Sequence, residues 1–231
     1  MDWIGLTPEE ISALGLSAKV SLWCAAVTFI PGVLTGWIMA RKSFIGKSVV
    51  DGLVHLPLVI PPVVVGYVLL LGLGTQGFIG KWLYEVFGIS IAFTWKGAVV
   101  ASAVMGFPLM VRSVRLSMEL IETRLEDAAR TLGAGPLRVF LTITLPLALP
   151  GIITGSILSF ARSLGEFGAT ITFVSNIPGE TRTLPLAVFT YTQIPGGEGP
   201  ALRLVVLSIL LAFSALIVSE VTARRTERLL K

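Results

Sequence analysis

Two ionisable residues stand where an apolar chain should not carry them. Arg162 and Glu166, in Phe160-Ala161-Arg162-Ser163-Leu164-Gly165-Glu166-Phe167-Gly168, close a run in which Val139 to Ala161 holds 23 uncharged residues. At spacing i, i+4 they meet on one face of a helix. Charges at such depth are expensive and pair with each other or face a cavity. One chemistry open to them is a self-neutralised structural pair. The other is an anion route on which Arg162 supplies positive charge and Ser163 a hydroxyl. Gly106-Phe107-Pro108 breaks another apolar run and is a second candidate for shaping a pathway, although ordinary packing accounts for Phe107 equally well. Nucleophilic or metal chemistry has little to build on. The chain has one His and one Cys; His55 reads as an interfacial polar tip and Cys24 as a small buried hydrophobe. A Gly-x-x-x-x-Gly-Lys-Ser/Thr phosphate loop is not found. The expectation is a chain that is not itself an enzyme and needs no metal or cofactor of its own.

The elements that position these residues are membrane spans. Of 231 residues, 54% are hydrophobic and 14% charged, against about 25% charged in soluble domains. The net charge of +4 does not point to nucleic acid, because the basic residues sit at the ends of apolar runs. With about 20 apolar residues needed per crossing, five spans are expected, near 17–40, 54–74, 94–114, 139–165 and 201–222, in a single all-α domain over 1–231. The first is read as a span and not a removable leader, since its flank (Asp2, Glu9, Glu10) is acidic. Five spans place Arg41, Lys42, Lys47, the arginines of a 115–138 loop, and Arg224, Arg225, Arg228 and Lys231 on one side. The positive-inside rule makes that side cytoplasmic, with the N-terminus outside. Prolines and charges cut 168–200 into pieces too short to cross. That segment is expected to be a helix end plus a re-entrant or interfacial stretch facing a cavity. Pro57, Pro61 and Pro62 predict a kink in the second span or a helix start at its boundary.

Within the 115–138 loop, Leu125 to Leu132 predicts a short helix. Ala128 and Ala129 favour it, and Gly133 suits the left-handed residue just past its end. Pro136 is placed to open the next helix. Small side chains let a partner approach the backbone, and Glu126, Asp127 and Arg130 provide a polar rim.

The spacing of Asp127-Ala128-Ala129, Gly133 and Ile143-x-Leu145-Pro146 resembles the cytoplasmic signature of permease subunits in binding-protein-dependent ABC importers. Asp127 stands where that signature has Glu, with Glu126 beside it. The resemblance implies a coupling helix that inserts into a groove on an ATP-binding subunit. It also implies a homodimer of permeases, two such ATPase subunits carrying ATP and Mg, and a periplasmic binding protein that delivers substrate to 74–96 and 175–200. Thr172 to Pro185 and Leu56-Pro57-Leu58-Val59-Ile60-Pro61-Pro62 resemble the permeases of molybdate importers, while Ser163 to Gly168 is shared with sulfate permeases. What this implies is a multi-pass bacterial inner-membrane protein moving molybdate, with tungstate, by alternating access. A sulfate or thiosulfate permease is the alternative, and a membrane enzyme or passive channel the rival outside the class.

Overall fold

A computed structural model describes residues 5–229, with side chains to Thr222 apart from Ser219. Asp2 and Lys231 lie outside it, as do the side chains of Arg224, Arg225 and Arg228. The described residues form helices α1 (Pro8–Arg41), α2 (Lys47–Val59), α3 (Pro62–Leu73), α4 (Phe78–Phe87), α5 (Trp95–Glu119) and α6 (Thr123–Thr131). These are followed by α7 (Pro136–Val139), a π turn (Phe140–Thr144), α8 (Leu145–Leu164), α9 (Gly168–Val174), α10 (Leu184–Thr192) and α11 (Glu198–Leu229).

The first helix extends ahead of the span expected from about position 17. Thr7 caps it: its hydroxyl accepts from Glu10 N–H, and the Glu10 carboxylate accepts from Thr7 N–H at 2.7 Å, a reciprocal capping box. At 34 residues the helix is about 51 Å long, more than the roughly 30 Å of hydrocarbon. Its first turns therefore project past the apolar layer. There Ala13 packs with Leu184, Ala187 and Leu204.

α1 and α5 run parallel. Gly32 and Gly36 of α1 lie against Met110 and Val114 of α5, Lys19 Nζ stands 3.6 Å from the Trp95 ring at one end, and Arg41 meets Ile121 at the other. The chain must therefore recross between Arg41 and Trp95, and α2 with α3 is the segment available. The kink expected in the second span is a sharp one: the two helices bend by 112° at their break. Tandem prolines explain the position. Ile60 precedes Pro61, and Pro61 precedes Pro62, so both are pushed out of the α region; their ψ angles are 149° and 133°. Pro57 stays inside α2.

α8 runs antiparallel to α5, with Ser113 bonded to Gly151 and Ser159 to Gly106. α11 starts beside α1, where Arg203 pairs with buried Glu10 at 2.9 Å. The end of α8 and the start of α11 thus share one side, and 168–200 does not cross. It holds two short helices, and in α9 Ala169, Thr170, Phe173 and Val174 are buried, while Pro178, Gly179 and Arg182 further on line a cleft with Glu9 and Ser12 of α1. Ala169, Phe173 and Val174 sit in a cluster with Val65 and Met105. Among the described residues four helices are long and apolar enough to cross, and five crossings result when the bent pair counts as one.

Gly66 is where α3 meets α9 backbone to backbone. A Cβ there would stand 2.5 Å from Ala169 O and 2.9 Å from Ala169 Cα, whereas one on Gly72 meets nothing within 4 Å. Backbone has no rotamer with which to yield, so Gly66→Ala is expected to cost about 1–3 kcal/mol. Gly72→Ala is expected to be neutral or mildly stabilising. Thermal unfolding of both variants in detergent checks this; equal midpoints would remove the tight contact.

Candidate functional site

The end of the molecule holding α6 carries the first cluster of expected site residues. α6 stops where Gly133 (φ +85°) turns the chain. Gly133 N–H donates to Arg130 O and Ala134 N–H to Ala129 O, both at 3.0 Å, the paired bonds of a Schellman ending. Pro136 opens α7 as expected, with Gly135 at its cap position. From Pro136 the chain stays helical to Leu164, but the turn at Phe140–Thr144 widens to π geometry, with Leu145 N–H reaching Phe140 O. Pro146 just beyond has no N–H to give its own turn. Ile143, Leu145 and Pro146 therefore lie at a local change of helix geometry.

That turn aims Thr144 at α6. Thr144 Oγ1 donates to Glu126 Oε1 at 2.8 Å. Arg41, the last residue of α1, donates to the same oxygen through Nε at 3.2 Å, with its Nη2 3.0 Å away. Arg41 Nη2 also donates to Ile121 O at 3.1 Å, and Arg130 Nη2 lies 3.5 Å from Glu126 Oε2. The Glu126 side chain is 7% exposed. Neighbouring Asp127 is 64% exposed and bonds only within α6, accepting from Arg130 Nη1 at 2.8 Å. The sequence reading gave these two carboxylates one shared place in a rim; the structure separates them into an inward anchor and an outward charge. Arg41 and Thr144 were not anticipated, and no local signal marks them, since Arg41 is 85 residues away. Beside the anchor, Trp37, Lys42, Thr123, Asp127 and Pro136 help line a cleft of about 390 Å³.

On its outer side α6 is bare. Leu125, Ala128 and Leu132 are exposed, Leu132 to 88%, and Leu137 follows in α7. Large apolar side chains so uncovered next to a charged rim mark a contact surface.

The second cluster lies toward the other end. Arg162 Nη1 is 2.7 Å from Glu166 Oε2, with the side chains 28% and 1% exposed. Glu166 Oε1 accepts from Ala169 N–H at 2.8 Å, so the same carboxylate caps α9. Ser163 is buried and accepts from Ser21 Oγ at 3.1 Å. Phe107 is not brought to this pair. It lines an apolar groove of about 450 Å³ with Val27, Thr28, Pro31, Leu53 and Pro57, between α1, α2 and α5. Pro108 is buried inside α5. His55 Nδ1 lies 2.9 Å from Asp51 O, one turn back on its own helix, and Cys24 is buried with Sγ 3.9 Å from Ser159 O.

Comparison with known proteins places this arrangement. Residues 32–228 match the family described as binding-protein-dependent transport system inner membrane component. The molybdenum transport system permease protein ModB of Escherichia coli K12 is 59% identical over 95% of this chain and 96% of its own length. The sulfate transport system permease protein CysT of the same strain is 35% identical over 92% and 78%. Among solved structures, a chain of the MetNI methionine ABC transporter in an inward-facing conformation superposes with TM-score 0.69 at 18% identity, covering 96% of this chain and 99% of that one. The fold is that of ABC importer permeases, and the chain belongs to the binding-protein-dependent transport system inner membrane component family, as a multi-pass membrane protein.

Proposed function

We propose that this chain is the membrane-spanning permease subunit of an ATP-driven importer that moves molybdate, and tungstate with it, by alternating access. The observation that carries the coupling half is the bare α6 face held from beneath by buried Glu126. A short helix presenting Leu125, Ala128 and Leu132 outward, on a fixed base, is shaped to enter a groove on a soluble ATPase. Orientation follows from charge. The α6 end gathers Arg41, Lys42, Lys47, Arg112, Arg115, Arg124, Arg130 and Arg138, which makes it cytoplasmic. A pair of permease chains with two ATPase subunits and an external binding protein completes the complex. ATP and Mg belong to the ATPase, where hydrolysis occurs.

The substrate half is supported by relatedness: 59% identity to a molybdenum permease against 35% to a sulfate permease. Both anions are doubly charged and tetrahedral, so the test must oppose them. In proteoliposomes holding the complete complex, ATP-dependent uptake of labelled molybdate is expected, and equimolar sulfate should leave it unchanged. Equal competition by sulfate would replace molybdate with the wider class, and uptake without ATP would end the coupling assignment.

Gly133 tests the docking helix. Its φ of +85° is unfavourable to a β-branched residue, so Gly133→Val should misdirect the end of α6 while the protein still inserts. The expected result is loss of ATPase co-purification with at least tenfold less uptake, an effect of about 1.4 kcal/mol. Gly135, at φ −68° with open space around it, is the control, and Gly135→Ala should behave as wild type. Normal assembly of Gly133→Val would sink the assignment.

For Arg162 and Glu166 the geometry favours the structural role, because the carboxylate is enclosed: Oε1 accepts from Ala169 N–H, and Oε2, which has no hydrogen bond, lies against the Arg162 guanidinium. Removing Arg162 alone strands a buried charge, which costs about 3–5 kcal/mol. Arg162→Ala is therefore expected to unfold more readily than the Arg162→Ala/Glu166→Gln double variant, in which the stranded charge is gone. Additive effects would return the pair to the pathway.

A further inference from the structure

Glu126 is the one buried residue of α6 among the described residues, so this helix is attached through a charged side chain. An apolar contact would hold it by area, without direction, and would let it slide. The Glu126 carboxylate is different. It is bonded to the last residue of α1 through Arg41 and to the π turn that opens α8 through Thr144. Arg41 in turn ties the Ile121 carbonyl at the α5–α6 turn. Charge-assisted bonds are short and directional, and breaking one in a buried place leaves a desolvated group behind. A pull on α6 therefore moves its partners before it parts the bonds.

We propose that Arg41, Glu126 and Thr144 form the joint that passes displacement of α6 to α1 and α8. The proposal rests on the reading of α6 as the ATPase-facing helix and assigns that site its transmission element. Glu126 is a positioning residue here and not a docking one, since its side chain is turned away from the exposed face that carries Leu132 and Asp127. The two partners have separable roles. Arg41 leads into α1, which lies along α5, and Thr144 leads into α8. The wide turn at Phe140–Thr144 places the second arm where helical bonding is already rearranged, and such turns recur at functional positions.

The test uses the full-length chain in complex with the ATPase and binding protein of its own system, with labelled molybdate as probe. Three quantities are read together: ATPase co-purification, ATP hydrolysis, and molybdate moved per ATP. Thr144→Val keeps the side-chain shape and deletes the hydroxyl. Arg41→Lys keeps the charge and loses the fork. In both, the ATPase should stay bound and hydrolyse ATP while molybdate per ATP falls roughly threefold or more, the range for residues along a coupling network. Thr144→Ser, which restores the hydroxyl, should restore the ratio. An unchanged ratio in Thr144→Val and Arg41→Lys overturns the joint. So does a loss of uptake that tracks ATPase dissociation, since that is what a merely structural contact would give. A wild-type complex without ATP-driven uptake would instead overturn the underlying reading of α6.

Discussion

The close parallel approach of α1 to α5 is the constraint on which the remaining geometry depends. Gly32 and Gly36 leave no Cβ between the helices; one on Gly36 would stand 2.7 Å from Val114 Cγ1. Lipid offers apolar side chains little reason to prefer each other, so membrane helices gain from contacts that small residues make tight. Parallel packing has two consequences. The chain between α1 and α5 must return across the layer, which α2 and α3 accomplish around the Pro61–Pro62 break. The two C-terminal ends also finish together, which brings Arg41 within reach of Ile121 and Glu126. The α6 site is thus built on a contact made at Gly32 and Gly36, well back along α1.

Much of this was legible because the bilayer writes it into composition. Charge-free runs located the crossings, and the Gly133–Pro136 punctuation placed the end of α6 and the start of α7. What could not be read depended on partners distant in sequence. Glu9 and Glu10 lie past the apolar layer as read, but that α1 already begins at Pro8 under its Thr7 cap, and that Glu10 is buried against Arg203, 193 positions on, depends on the folded chain. The motif spacing identified α6 but could not say which of Glu126 and Asp127 faces inward, because Arg41 and Thr144 decide that. Pro61 and Pro62 announced a break, while its 112° angle goes with close approaches between α3 and α9, of Gly66 to Ala169 and of Gly168 to Pro62, that no local pattern shows.

Three buried carboxylates share one pattern. Glu10 accepts from Thr7 N–H and faces Arg203. Glu126 accepts from the Thr144 hydroxyl and faces Arg41. Glu166 accepts from Ala169 N–H and faces Arg162. Each lies at or beyond a helix end or in a short surface helix; Glu10 and Glu126 join elements far apart in the chain, and Glu166 ties the end of α8 to the start of α9 that follows it. A buried charge is tolerated only when it is paired and its remaining lone pairs are bonded. Between these anchors, hydroxyls serve instead, as in Thr28 to Cys24 O and Thr154 to Pro150 O within one helix. Ser159 to Gly106 O does the same between two helices. Directional attachment is therefore concentrated near the ends, and the middle is held by close packing.

This distribution bears on how an oxyanion would cross. A free guanidinium in the interior would hold a doubly charged anion strongly, and conduction needs binding loose enough to release. Arg162 is already committed to Glu166 at 2.7 Å, so an anion passing it meets a neutralised pair. Ser and Thr hydroxyls, which bond an oxyanion without holding it by charge, are the polar groups left along the apolar spans. In the proposed complex, capture would fall to a separate binding protein and the energy of release to an ATPase, while the permease would supply two alternating openings. A chain with few charges in its spans, Arg162 and Arg203 among them held by Glu166 and Glu10, is suited to handing an anion on and poorly suited to storing it.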